Sequence, residues 1–175
     1  MKMSYRLRLT TKYRAHITIA VFAFLTLFIS SCGFHLRGDY LLSPQLQTLH
    51  LSSVDKFGEL TRQVKQHLSL NKITLVPSPA KNIPQLRILK DGLNRRTLSV
   101  FPNGQVAEYE LMYTVRYQLA FSADDVRSYE FELNRDYQDD PNVALAKSRE
   151  LDLMLSEMRK EAATKILRDL STIKI

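Results

Sequence analysis

The chain has a single cysteine, no acidic residue in its first 31 positions, and no apolar run long enough to cross a bilayer. One cysteine, Cys32, excludes an intramolecular disulfide framework and a cysteine-built zinc site. The four histidines, His16, His35, His50 and His67, are widely separated, and no two stand at metal-ligand spacing. No nucleophile elbow and no phosphate-binding glycine loop occurs. Asp124-Asp125 and Asp139-Asp140 fall in a turn and near a helix start, where aspartate makes local hydrogen bonds. These gaps leave no assembled acid, base or nucleophile, so the sequence reads as non-enzymatic, with no catalytic residue, metal or dissociable cofactor.

The start of the chain carries Lys2, Arg6, Arg8, Lys12 and Arg14 ahead of an apolar stretch, Ile17 to Ile29, interrupted only by two threonines. A spanning helix needs roughly 20 residues, and this stretch is well short of that. A positive segment, a short apolar segment and small residues, here Ser30 and Ser31, form a secretory signal. Ile29-Ser30-Ser31-Cys32 resembles the bacterial lipobox, with isoleucine where leucine is more usual. The resemblance implies removal of residues 1–31 and a covalent diacylglycerol and N-acyl chain on Cys32. Acylation also disposes of an otherwise exposed thiol in an oxidising compartment. Gly33 stands where aspartate favours inner-membrane retention in bacterial lipoproteins, so the expected address is the outer membrane.

The formal charge of +7 misleads. Five of the 25 basic residues lie in the signal and none of the 18 acidic ones does, which leaves 20 − 18, or +2, on the mature chain. No strongly basic nucleic-acid footprint survives. The remaining length, 175 − 31 or 144 residues, suits one domain that buries roughly two thirds of its unfolded surface. Residues 32–44 read as an acylated tether broken by Gly33, Gly38 and Pro44, and residues 45–175 as the domain.

Within that domain Leu46 to Ser52 alternates as a strand. Phe57, Leu60, Val64 and Leu68 share one helical face, with Ser53 or Asp55 as cap and Asn71 after the end. Ile73 to Val76 is a short extended piece before Pro77 and Pro79. Gln85 to Val100 reads as a long strand, irregular near Asp91-Gly92, and Pro102-Asn103-Gly104 as a turn. Ala107 to Phe121 is the clearest strand: Tyr109, Leu111, Tyr113, Val115, Tyr117, Leu119 and Phe121 alternate with polar neighbours. Tyr129, Phe131 and Leu133 continue the pattern. Asp140 caps a last helix with Pro141 at its first position, and Leu151, Met154, Met158, Ala162, Ile166 and Leu170 form its apolar stripe. Two one-faced helices and a one-faced, mostly antiparallel (mixed) sheet of about four strands predict an α+β two-layer sandwich.

Three segments carry a family resemblance: Cys32-Gly33-Phe34-His35-Leu36-Arg37-Gly38, the run Val100 to Tyr109 (VFPNGQVAEY), and Asn142-Val143-Ala144-Leu145-Ala146-Lys147. In this order, behind a lipobox, they resemble the lipopolysaccharide-assembly lipoprotein family LptE. The resemblance implies two helices against a mixed sheet. It implies no enzyme but a plug inside LptD, the outer-membrane β-barrel that places lipopolysaccharide in the outer leaflet. Family members also help that barrel assemble and bind lipopolysaccharide, using basic residues after the VF pair and in the last helix. Lys147 matches the second position. The first is Pro102 here, and Arg95 and Arg96 on the adjoining strand are the candidate substitutes. Pro102, Asn103 and Gly104 form an exposed tip suited to the polar lumen of a large barrel. The alternative is a periplasmic lipoprotein subunit of another lipid-trafficking transporter, distinguished by the partner that co-purifies.

Overall fold

The computed structural model describes residues 42–173. The expected signal peptide, Cys32 and the expected tether up to residue 41 lie outside the described residues. A 3-10 turn, Pro44–Leu46, leads into β1 (Thr48–Ser53), α1 (Glu59–Leu70), β2 (Thr74–Val76), β3 (Gln85–Val100), β4 (Val106–Ala120) and β5 (Val126–Gln138). A second 3-10 turn, Pro141–Val143, opens α2 (Ala144–Thr172). The sheet order is β2-β1-β3-β4-β5; β1 is parallel to both β2 and β3, and β3, β4 and β5 are antiparallel neighbours. The expected α+β class stands, with five strands rather than about four. The extra one is β2, three residues long and closed by Pro77, too short to show a period.

The core follows from period two meeting period 3.6. Leu111, Tyr113, Val115, Tyr117 and Leu119 of β4 are buried on one face with Leu49 of β1 and Leu86 and Ile88 of β3. Over them lie Leu60, Val64 and Leu68 of α1 and Met158, Ala162, Ala163, Ile166, Leu167 and Leu170 of α2. Each such large side chain contributes roughly 1.5–3 kcal/mol on burial. The other sheet face is polar and open to solvent.

Helix ends differ from the spacing-based expectation. Gly58, not Ser53 or Asp55, is the N-cap of α1, so Phe57 falls before the helix and is 87% exposed. The Asp55 carboxylate instead accepts from Phe57 N (3.2 Å), and a Cβ on Gly58 would meet Asp55 Oδ2 at 2.6 Å, so any larger residue there displaces the Asp55 side chain. At the other end Asn71 closes the helix and Lys72 is left-handed (φ 60°). Ile73 N donates to Leu68 O and Lys72 N to Ser69 O, a Schellman closure with its Leu68–Ile73 apolar contact. Asp140 caps as expected, accepting from Asn142 N at 2.9 Å, but it caps the 3-10 turn ahead of α2.

Polar groups clamp the layers. Tyr113 donates to Asp91 Oδ2 (2.6 Å) and Tyr117 to Asp169 Oδ2 (3.0 Å); burial pushes both phenols well above their ordinary pKa. Glu59 joins the helices: it accepts from Ser156 Oγ (2.7 Å) and pairs with Arg159. The Ser156 hydrogen bond, then Arg159, hold its carboxyl below the usual 4.5 despite partial burial. A carboxylate whose folded pKa is depressed stabilises above the unfolded value and loses that contribution as pH falls through the folded one. Glu59→Gln is therefore expected to cost about 1–2 kcal/mol at pH 7. The deficit should shrink below pH 4.5, as read by urea unfolding at pH 7 and pH 3. An undiminished deficit at pH 3 refutes the assignment.

Candidate functional site

The strand register decides which predicted residues meet. β3 and β4 pair with breaks at Ile88/Lys90, Thr97/Ser99 and Ser99/Val100, so Leu89 and Leu98 of β3 and Ala107 of β4 are bulged. The irregularity lies slightly upstream of Asp91-Gly92. Past the first bulge the parity of β3 inverts: Leu86 and Ile88 face the helices, and so do Asp91, Leu93 and Arg95. Arg95 therefore stands opposite buried Leu111 on the helix side, and Arg96 opposite Glu110 on the open face. The arginine pair is split. Arg96 forms an ion pair with Glu110, while the Arg95 guanidinium lies 5.9 Å from the centroid of the Tyr109 ring.

Lys147 comes to the same side. Its Nζ sits 5.4 Å from the centroid of the Tyr137 ring and donates to Glu150 Oε2 at 2.9 Å, a bond that raises the lysine pKa. Tyr137 is paired with Tyr109 across β4 and β5, so two cations cap two neighbouring rings. The Tyr137 hydroxyl donates to Lys147 O (2.8 Å), which fixes the first turn of α2 against the end of β5. Burial pushes the Tyr137 phenol up, so it stays a donor at neutral pH. Neither tyrosine is recognisable as a site residue from the sequence, because both sit in the apolar row of their strands; only the β4–β5 register brings them together.

Pro102, Asn103 and Gly104 form the exposed β3–β4 tip at this end. Gly104 takes φ 83°, as the turn expectation requires, and Gly104 N donates to Phe101 O (2.9 Å). Asn103 Oδ1 accepts from Gln105 N (3.1 Å). At this end Leu98, Val100 and Phe101 on the hairpin, Val143 of the second 3-10 turn and Leu145 of α2 are exposed. His67 is half-buried at the end of α1, where burial lowers its pKa, and it joins no cluster. Among the described residues no group of histidine, cysteine, aspartate or glutamate could hold a metal, and no helix is long and apolar enough to cross a membrane.

Of the cation–aromatic pairs in this α+β two-layer domain, Arg95–Tyr109 and Lys147–Tyr137 meet at the hairpin end, while Arg127–Phe121 and Lys165–Phe131 stand apart from them. A family model for lipopolysaccharide-assembly LptE matches residues 46–170. The LPS-assembly lipoprotein LptE of Pectobacterium atrosepticum is 37% identical over 161 residues, covering 91% of this chain and 88% of that one. The corresponding protein of Yersinia enterocolitica is also 37% identical, over 91% of this chain and 78% of its own. Among solved structures, the rare lipoprotein B of Shewanella oneidensis superposes with TM-score 0.66 at 45% identity, over 71% of this chain and 94% of that chain. A minor lipoprotein of Acinetobacter baumannii, at 23% identity and TM-score 0.59, shares the fold. The chain belongs to the LptE family of lipopolysaccharide-assembly lipoproteins, which is not a family of enzymes.

Proposed function

We propose that the chain is an outer-membrane lipoprotein acylated on Cys32. It lodges as a plug in the LptD β-barrel, assists that barrel's assembly and binds lipopolysaccharide as it passes to the outer leaflet. The carrying observation is the Arg95–Tyr109 and Tyr137–Lys147 cluster beside exposed Leu98, Val100, Phe101, Val143 and Leu145. Lipopolysaccharide presents phosphates next to acyl chains, and this end of the domain offers cationic donors next to apolar side chains. The chain enters the described fold beside the first residues of β1, and β1 and β3 run parallel, so the cluster lies towards the far end of the sheet. Ten residues of β3 separate Gln85 from Arg95, about 33 Å at the usual strand rise.

In the absence of ligand, Lys147 is held by Glu150; a phosphate would exchange with that carboxylate. Arg95→Ala combined with Lys147→Ala is expected to weaken lipopolysaccharide binding by roughly tenfold or more, since each charge-assisted bond contributes about 1.5–3 kcal/mol. Arg96→Ala, on the opposite face, should leave binding within about twofold, and Glu150→Gln should tighten it. Titration of each variant with lipopolysaccharide decides this; equal affinity of the double variant and the wild type refutes the site. The partner is tested separately, by recovering the acylated chain in mild detergent. A very large β-barrel is expected, and an inner-membrane transporter in its place would overturn the plug.

A further inference from the structure

β5 ends the sheet, and its outer edge is paired with nothing among the described residues. Exposed edges are usually blunted by bulges, prolines, short length or charged side chains. β5 has only the charges: Val126–Gln138 is 13 residues long, contains no proline, and pairs with β4 one to one from Gln138 to Val126 without a register break. Asp139 N donates to Ala107 O and Phe121 N to Asp125 O, so the odd-numbered residues of β5 direct their backbone groups at β4. The even-numbered ones, Ser128, Glu130, Glu132, Asn134 and Asp136 among them, turn theirs outward, and all are exposed.

The side chains of that even row define what the edge accepts. Glu130, Glu132 and Asp136 line the open face, and only Glu130 is in an ion pair, with Arg116. The strand's own cations are tied elsewhere: Arg135 to Glu157 and Glu161 of α2, Arg127 to Asp125. A second copy is a poor occupant. A two-fold partner centred on Glu132 sets Glu132 against itself, and a shift of one pleat period sets Glu130 against Glu132 or Asp136. Like charges directly opposite are destabilising, and opposite charges stabilise.

We infer that the free edge of β5 receives an extended, basic segment of a partner polypeptide as a sixth, antiparallel strand, with lysine or arginine on alternate positions opposite Glu130, Glu132 and Asp136. Strand addition draws affinity from the main chain and specificity from alternate side chains. The inference rests on the reading that the chain works in contact with a protein partner.

The test compares amide exchange in the full-length acylated chain, free in mild detergent and in the complex recovered from envelopes. In the complex the amides of Ser128, Glu130, Glu132, Asn134 and Asp136 are expected to slow at least about tenfold, while the odd-numbered ones, already bonded to β4, change little. Asn134→Pro removes one outward donor without touching the β4–β5 ladder. Folded material, checked by its thermal transition, should then recover less barrel. Even-numbered amides that stay fast with the barrel present, or undiminished recovery by folded Asn134→Pro, overturn the edge and leave the plug standing. If the wild type recovers no barrel, the plug fails. The edge is then judged with a capped nine-residue peptide alternating lysine and valine. Protection by it and not by its glutamate counterpart upholds the edge, and any other pattern overturns it.

Discussion

Alanine in place of Tyr117 is expected to lower stability by about 3–5 kcal/mol. The side chain is 1% exposed at the middle of the sheet's buried face. Its ring stacks on Tyr129 across the β4–β5 pair, with centroids 5.0 Å apart and planes 12° apart, and meets Phe131 edge-on at 6.3 Å. Its hydroxyl reaches Asp169 on α2, so one residue joins β4, β5 and the last helix. Truncation empties a ring-sized volume that a rigid sheet cannot collapse to fill, and it forfeits aromatic contacts that contribute beyond buried area. Tyr117→Phe separates the two parts. It keeps the ring and removes the hydroxyl, and Asp169 retains Lys165 at 3.3 Å, so no buried carboxylate is orphaned. Its expected cost is about 1 kcal/mol. Urea unfolding of both variants provides the measurement, and a fall of roughly 10–20 °C in Tm should accompany the alanine variant alone. A phenylalanine variant as damaged as the alanine one would show that the hydroxyl, not the ring, carries the clamp.

That residue was legible from sequence because β4 keeps strict alternation from Tyr109 to Leu119 with no bulge on its β5 side. The stripe of α2 was legible for the same reason, and Met158, Ala162, Ile166 and Leu170 are all buried. Legibility fails where a single residue changes the phase. Leu89 bulges out of β3 and reverses its parity, so no alternation rule read from Leu86 and Ile88 assigns faces to Arg95 and Arg96. Treating the two arginines as one patch was the natural consequence. Phe57 fails differently: it fits the helical phase of Leu60, Val64 and Leu68, yet the helix starts at Glu59, two residues too late to include it. The cation–tyrosine cluster was half legible. Lys147 came from a family match, whereas Tyr109 and Tyr137 became site residues only through their cross-strand pairing, a long-range fact that no local pattern encodes. Local chemistry thus specified most elements, and register specified the site.

In cells depleted of the barrel, replacing Cys32 with alanine in a chain whose residues 1–31 are exchanged for an ordinary cleavable secretion signal is expected to move it from the membrane fraction to the soluble periplasm almost completely. The argument is one of chain number. Each buried methylene contributes about 0.8 kcal/mol, yet a single myristoyl chain binds a bilayer only marginally, with an association constant on the order of 10⁴ M⁻¹. A diacylglycerol with an added N-acyl chain exceeds that threshold severalfold, while the described domain offers no membrane-spanning helix to substitute. Cys32 is also the sole cysteine, so no second thiol rescues the modification. Partner contacts are a competing source of retention, and they are separable: the variant is fractionated in cells depleted of the barrel and again in cells that hold it. Release in depleted cells with retention in replete ones assigns the anchor to Cys32 and the residual hold to the plug. Unchanged membrane association of that chain in barrel-depleted cells would mean that something other than the acyl group attaches it, and the lipobox assignment would fall.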